Sequence, residues 1–511
     1  MKKMKLNYFR TILVGFAFFL ISAFWQGYDT LPITLTNKFG MSQTLSGFIM
    51  TLDNILALFL LPFFGNLSDK SKSKHGKRTP FIVIGTIIAA VAIVALSVVD
   101  TIQLDKISQY TAIDDHQTLV QIYNEQCDNE LMDPDGNTFK LKDIYTTADD
   151  FAKINSEEHP DQYATHVVPA RVACVAAVTT QSPNALIVFV AVLLIVLLAM
   201  SVFRSPAVAL MPDVTVKPLR SKANAIINLV GTAGGVIILL LSTVLKTDAT
   251  KNTYVSYIPY FGIVAGLMLT ALTVFLLTVR EKKWAKQMQE DTVRYGIEEN
   301  EEVQTVQRTL SRSERNSLIL IVLSVALWYF GYNAVTSKYS VYATKVLQMG
   351  YAMPLLLANA AAIIAYLPAG ILASKIGRKN TIIIGVVMLA LAFGAASFMR
   401  AGSPEWLMTI LFVLAGVGWA TINVNSFPMA VEMSSGADVG KYTGYYYTGS
   451  MLAQALTPMI SGWLMTQFGE KVLFPYAAIF VALAIVTMLF VKHGDHKVVA
   501  KKGLEAFVVE D

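Results

Sequence analysis

The chain has 511 residues, of which 54% are hydrophobic and only 15% charged, with a mean hydropathy of +0.51. Soluble domains carry about 25% charged residues, so a water-soluble globule is excluded. The formal net charge of +5 gives no footing for a nucleic-acid binder. A polytopic membrane protein remains, whose apolar excess faces the lipid bilayer.

The first apolar run, 11–33, is long and lacks a small-residue cleavage site before the next segment, so it reads as a span and not as a removable signal. A bilayer-crossing helix needs roughly 20 mostly apolar residues. Further runs of that kind fall near 45–64, 80–99, 185–205, 223–245, 258–279, 317–337, 353–373, 380–399, 406–428, 442–466 and 473–491. Twelve spans are therefore predicted. Basic residues collect at the amino terminus (Lys2, Lys3, Lys5, Arg10) and on alternate joins: 65–79, then Lys217, Arg220 and Lys222, then Lys375, Arg378 and Lys379. The tail adds Lys492, Lys497, Lys501 and Lys502. The positive-inside rule places these joins and both termini in the cytoplasm. The expected location is the plasma membrane, of the bacterial inner-membrane type.

Two joins are long. Residues 100–183 carry fifteen acidic against five basic side chains, too polar to span and too long for an ordinary turn. Residues 280–315 form a charged linker between two groups of six spans. The halves repeat: "GNLSDK" (65–70) matches "GILASK" (370–375) at an offset of 305, which also carries Asn54 onto Asn359. "GYD" (27–29) falls on "GYN" (331–333) at 304. After the third span "ALMPD" (209–213) matches "PMAVE" (428–432) at only 219. The lost 86 residues are close to the length of 100–183, which is thus an insertion into one copy of a six-span repeat. The predicted organisation is an amino-terminal half (1–279) holding the acidic extracytoplasmic insertion, a cytoplasmic linker (280–315), a carboxyl-terminal half (316–491) and a cytoplasmic tail (492–511).

Two six-span halves repeated along the membrane normal are the layout of major facilitator transporters. "GILASKIGRKN" (370–380) resembles the signature loop between the second and third spans of that superfamily, and "GNLSDKSKSKHGKRTPF" (65–81) is its lengthened other copy. Together with "RSPAVALMPDVTVKPLRSKANAIIN" (204–228) and "MTLDNILALFLLPFFG" (50–65), the lengthened loop resembles the sucrose and disaccharide:proton symporter group. That group is allied to the glycoside–pentoside–hexuronide:cation symporters. The resemblance implies an all-helical fold and covers nearly the whole chain apart from 100–183 and the tail. It implies proton-coupled sugar uptake, a glucoside or disaccharide such as sucrose or maltose being the expected cargo.

The loop chemistry stands without the family. Asp69 closes the second span, where a carboxylate can bridge basic residues or meet a neighbouring helix amino terminus. Gly65 permits close helix approach. With Lys70 and Arg78 these residues form a candidate cytoplasmic gate of the kind alternating access needs. The second copy offers Gly370, Lys375 and Arg378, but Ser374 stands where Asp69 would be, so its latch is expected to be weaker. Asp213 with Arg220, and Glu432 with Lys441, are the expected latches further along. The alternative is that this charge only sets topology.

Ionisable groups inside spans are rare unless they serve a pathway. Asp53, in "TLDNI", lies about 12 Å along its span at about 1.5 Å per residue, placed to carry a proton or to bond another span. Asp29 is the second proton-coupling candidate and also a candidate sugar contact; a solvated aspartate near the outer surface is the alternative. Arg204 can pair with a carboxylate, bind a substrate hydroxyl or snorkel to the cytoplasm. Sugar binding needs flat apolar faces and polar groups for hydroxyls: Tyr28 and Asp29, beside Trp25, in the first span, and Trp328, Tyr332 and Asn333 in the seventh. Asn54, Asn359, Asn423 and Asn425 join them, although a span Asn also serves as a helix–helix hydrogen bond. Aromatics near span ends also form the interfacial belt, which bears on Trp25 and Trp328.

No P-loop is present and no His/Cys cluster has metal-site spacing. "DPDGN" (133–137) reads as a Pro-Asp-Gly turn, not a calcium loop. No enzyme is predicted, and no cofactor other than the proton as coupling ion; a monomer is expected. Cys127 and Cys174, both in the insertion, are a candidate disulfide. Without ATP chemistry, accumulation draws on an ion gradient. A sodium-coupled or uncoupled porter of another sugar or glycoside, and a transporter-like nutrient sensor, are the competing readings.

Overall fold

Long apolar runs ended by Pro, Gly and charge leave the backbone one economical choice in lipid, the helix, because each N–H must find its carbonyl within the segment. The computed structural model describes the chain except residues 1–4, 29, 32–33, 42, 134–136, 160–161, 246–253, 296–309, 348, 350–351, 435–437 and 496–511. Its first half is built on α1 (Tyr8–Tyr28), α2 (Gln43–Asp69), α3 (Thr79–Lys106), α4 (Asn184–Asp213), α5 (Arg220–Leu245) and α6 (Ile258–Thr278). The second half follows with α7 (Arg312–Tyr342), α8 (Ala352–Ile376), α9 (Arg378–Ala396), α10 (Glu405–Val431), α11 (Val439–Phe468) and α12 (Leu473–Phe490).

The same neighbours recur in each half. Helix α1 packs on α5 and α6 as α7 packs on α11 and α12, and α3 packs on α4 and α6 as α9 packs on α10 and α12. Contacts between the halves run chiefly through α2 with α11 and α5 with α8. Among the described residues, eleven segments are long and apolar enough to cross a membrane. The span predicted over 442–466 falls outside that group although α11 has 30 residues. It carries Tyr442, Tyr446, Thr443, Ser450, Thr457 and Ser461, all buried. Its polar side chains face other helices and not lipid, so hydropathy understates it.

The insertion is a folded unit. Ile107, Leu119, Ile122, Leu141, Phe151, Val167 and Cys174 form its core. Helices His116–Gln126 and Val168–Gln181 and a short hairpin, Leu131–Met132 with Thr138–Phe139, surround it. The Pro-Asp-Gly turn expected at the hairpin tip, residues 134–136, lies outside the described residues. Asp115 caps the first of these helices by accepting the Thr118 N–H at 2.9 Å. The insertion is rooted in its own half. Buried Lys38 donates to Asp100 and to the Val255 carbonyl, both at 2.7 Å, and Gln103 donates to the Lys38 carbonyl at 3.0 Å. The two cysteines are not paired, contrary to the candidate disulfide. Cys174 is buried in this core, where burial pushes its thiol up to about 12. Cys127 instead closes a helix end and faces the Asn124 carbonyl and Asp128. The linker begins as a helix, Glu281–Arg294.

Candidate functional site

The face that carries loop 65–79, the basic face, is shut. Arg78, fully buried, is its hub in the first half. Its Nε donates to Asp213 at 2.7 Å, Nη2 to Asp69, and Nη1 to the Ser68 hydroxyl. Lys77 lies 3.4 Å from Asp213. Asp69 also accepts the backbone N–H of Gly440 at 3.0 Å and of Lys441 at 2.9 Å. Those amides belong to the first turn of α11, where helical N–H groups lack partners. The carboxylate therefore ties the two halves together. Contact here is backbone to backbone: a Cβ on Gly65 would lie 2.8 Å from the Ser205 hydroxyl and would also collide with the Gly440 carbonyl.

The second half closes differently. Arg378 donates to Glu432, to the Lys217 carbonyl and, at 2.9 Å, to the Ser221 hydroxyl. Burial works against ionisation of Glu432, but Arg378 and Arg220 outweigh it and hold that carboxyl below its ordinary range. Arg220 crosses in the other direction, 4.0 Å from Glu432 and donating to the Val431 carbonyl at 3.3 Å. The expected pairs Asp213–Arg220 and Glu432–Lys441 are thus corrected. Each acid meets the Arg that opens the third helix of its own half, because the end of the fourth helix packs there. Ser374 turns back onto its own helix at the Gly370 carbonyl, 3.1 Å. A Cβ on Gly370 would come within 2.9 Å of the Ser221 carbonyl. Lys70 and Lys375 are exposed and pair with no acid among the described residues, so they sit outside the gate.

Two acids that the sequence did not single out complete this face. Glu281, at the start of the linker helix, accepts the Arg78 N–H at 2.9 Å and the Thr79 N–H at 2.8 Å. Asp495, just past α12, accepts the Arg378 N–H at 2.6 Å. Each caps the third helix of a half from the segment that follows its sixth.

Deeper in the molecule, Asp53 and Arg204 line one cavity with Trp25, Ala57, Leu61, Leu197, Met200 and Ser201. The Arg204 guanidinium lies 5.2 Å from the Trp25 ring centre and 5.0 Å from that of Tyr447, so it spans the two halves by cation–π contact. Its Nε and the Trp25 indole N–H are buried without a hydrogen-bond partner. From Tyr447 an aromatic path continues to Tyr446 at 5.5 Å. On the facing helices Trp419 meets Tyr329 at 5.0 Å and stacks on Tyr332 at 3.8 Å with the planes 4° apart.

The other predicted residues divide. Tyr28 is buried and stacked on Phe24 at 6.0 Å. Asn54 is half-buried beside Asp53. Asn333 Nδ2 and Asn425 Oδ1 are buried without partners. Asn423 is half-buried, whereas Asn359 is exposed and satisfied by the Leu355 carbonyl of its own helix at 3.0 Å. Trp328 is fully buried in the apolar core. It stands about 100° around the helix from Tyr329 and about 40° from Tyr332. Asp29 lies outside the described residues. Trp419, Tyr447 and Tyr446 were missed. An indole in mid-span, away from the interfacial belt, was the available signal for Trp419.

Unpartnered donors among stacked aromatics, sealed on one side by charge-assisted contacts between two repeated halves, describe a carrier. The Major Facilitator Superfamily model matches residues 167–364 and 353–509. The chain belongs to that superfamily. Its members are transporters, not enzymes, and a second model, MFS/sugar transport protein, matches residues 13–103. The sucrose transport protein SUC3 of Arabidopsis thaliana is 39% identical over 57 residues, 11% of this chain and 10% of that protein. Dipeptide and tripeptide permease A of Enterobacter sp. (strain 638) is 25% identical over 191 residues, 36% of this chain and 37% of the permease. The chain thus matches only a small part of the length of these curated relatives. Among solved structures, the proton:xylose symporter XylE superposes with a TM-score of 0.59 at 14% identity, covering 95% of this chain and 96% of the other. The E. coli fucose:proton symporter FucP gives 0.58 at 11%, covering 96% and 100%. A bacterial homologue of the iron transporter ferroportin, outward-facing, gives 0.60 at 12%, covering 95% and 99%. At these identities the likeness shows the fold, an all-helical membrane protein of two six-helix halves.

Proposed function

We propose that this chain is a secondary active transporter that takes up a sugar together with a proton, a glucoside or disaccharide such as sucrose or maltose being the cargo class. The carrying observation is the cavity shared by Asp53, Arg204 and Trp25, with Tyr447 of the other half closing on the same guanidinium. An acid that gains a proton no longer attracts the neighbouring cation. Arg204 offers its unpartnered N–H to a sugar hydroxyl. The Tyr332–Trp419 stack gives an apolar face for the ring, and Asn333 and Asn425 give amides for hydroxyls. The short SUC3 stretch and the sugar-transport model over 13–103 support the cargo class. The basic face is then cytoplasmic, as are both termini, and the protein works as a monomer in the plasma membrane.

Proteoliposomes loaded with a pH dye test this. Adding sugar outside should acidify the lumen, and a pH difference alone should drive accumulation. Asp53→Asn should abolish that accumulation while exchange of labelled for unlabelled sugar survives, because exchange moves no net proton. Accumulation by Asp53→Asn under a pH difference alone removes Asp53 as the coupling acid. Accumulation that follows sodium instead, or saturable binding without flux, overturns proton symport.

A further inference from the structure

Six prolines sit inside the long helices. A proline has no N–H, so the carbonyl four residues before it loses its helical donor. In lipid such a carbonyl must find another. Pro428 in α10 releases the carbonyl of Val424. Asn224 of α5, in the opposite half and 2% exposed, places its Nδ2 2.7 Å from that oxygen and 3.3 Å from the Asn423 carbonyl. Pro62 in α2 releases the carbonyl of Leu58, and the Thr448 hydroxyl of α11, again in the opposite half, lies 3.4 Å from it. Thr448 also reaches its own helix at Gly444, 3.1 Å, so this second contact is shared. Helix α11 presses close here: a Cβ on Gly444 would lie 2.8 Å from Pro62 N and would strike its Cα.

We propose that proline-released carbonyls are latches of this carrier set inside the ion-pair gate, and that Asn224, reading the carbonyl freed by Pro428, is a positioning residue that sets the balance between the closed and open forms of the basic face. The two interfaces between the halves use one chemistry from equivalent fifth helices onto non-equivalent acceptors, α5 onto α10 and α11 onto α2. The latch needs no charge and does not hold the halves irreversibly. When the halves part, water entering the cavity takes over the carbonyl. The bond therefore biases the equilibrium without blocking it. This rests on the alternating-access reading above, so the test reads conformation and not flux.

Spin labels at Lys74 and Lys375, both exposed on the basic face of opposite halves, report the distance between the halves in reconstituted full-length protein. Asn224→Leu should raise the population of the long distance about three- to tenfold, the span that one buried interhelical hydrogen bond covers. Pro428→Ala restores the helical N–H, so it should produce a similar shift alone. Adding Asn224→Leu to Pro428→Ala should then change nothing further. Unchanged distances in Asn224→Leu, or an equal shift with and without Pro428, overturn the proposal. If Asn224→Leu fails to insert, Pro428→Ala alone decides: an unaltered distribution overturns it. A protein that carries no sugar can still pass this test, which keeps it separate from the cargo assignment.

Discussion

The two gates on the basic face share a core and differ at the edge. Within each half an Arg at the start of the third helix meets an acid at the end of the fourth, Arg78 with Asp213 and Arg378 with Glu432. Across the halves, the first gate uses a carboxylate aimed at backbone amides, Asp69 on Gly440 and Lys441. The second has Ser374 in that place and crosses with guanidinium groups, Arg378 to Ser221 and the Lys217 carbonyl, and Arg220 to the Val431 carbonyl. Carboxylate on a helix amino terminus is a charge-assisted contact reinforced by the helix dipole. Guanidinium on carbonyls is charge-assisted too, but spread over several weaker points. The half that lacks the acid thus spreads its cross-half contacts among its bases.

That contrast can be broken most sharply at Asp69. Removing one partner of a buried ion pair costs about 3–5 kcal/mol; Arg78 keeps Asp213 but loses Asp69, and the Gly440 and Lys441 amides lose their charged acceptor. Asp69→Asn should therefore cut sugar uptake about tenfold or more at equal membrane expression, with the basic face open in crosslinking. Unchanged uptake would confine the loop to topology. Arg378→Lys tests the other gate. A lysine keeps the charge but loses the planar fork, so uptake should fall less, about three- to tenfold, and thiol labelling near Ser221 from the basic face should rise. An effect equal to Asp69→Asn would mean that the gates are equivalent.

Ser374→Asp asks whether the first gate can be rebuilt in the second. An acid there faces the start of α5 and should tighten closure, lowering the turnover rate about twofold, within the range of a partly exposed helix-terminus charge. A faster carrier would refute the reading of closure as rate-setting. The smallest effect is expected of Ser374→Ala. Its hydroxyl bonds only its own helix, so uptake should stay within about the ±0.5 kcal/mol typical of silent sites. A large loss in Ser374→Ala would show that the serine crosses to the other half in a form not seen here.

Much of this was legible in the sequence. Span length and the charged joins gave the twelve helices, because lipid leaves no alternative to the helix. The offset collapse from 305 to 219 located the insertion. Asp53, Asp69 and Arg204 were visible as charge set where charge is costly. Polar α11 was marked by its position in the count, although its composition lies below that of its neighbours.

Pairing was not legible. Which Arg meets Asp213 or Glu432 depends on which helix ends converge, and offsets along the chain carry no such distance. Trp328 and Trp419 are alike in the sequence, yet one is fully buried in the core and the other stacks on Tyr332, a difference set by how each helix is rotated. Asn224 looks like any span amide until Pro428, 204 residues later in the chain, is placed on the opposite helix. Composition and periodicity determined the number of helices and the places where charge is costly, since those follow from each segment's own exchange with lipid. Partners, rotations and latches came only with the tertiary structure, because they depend on distances between segments that the chain order does not contain.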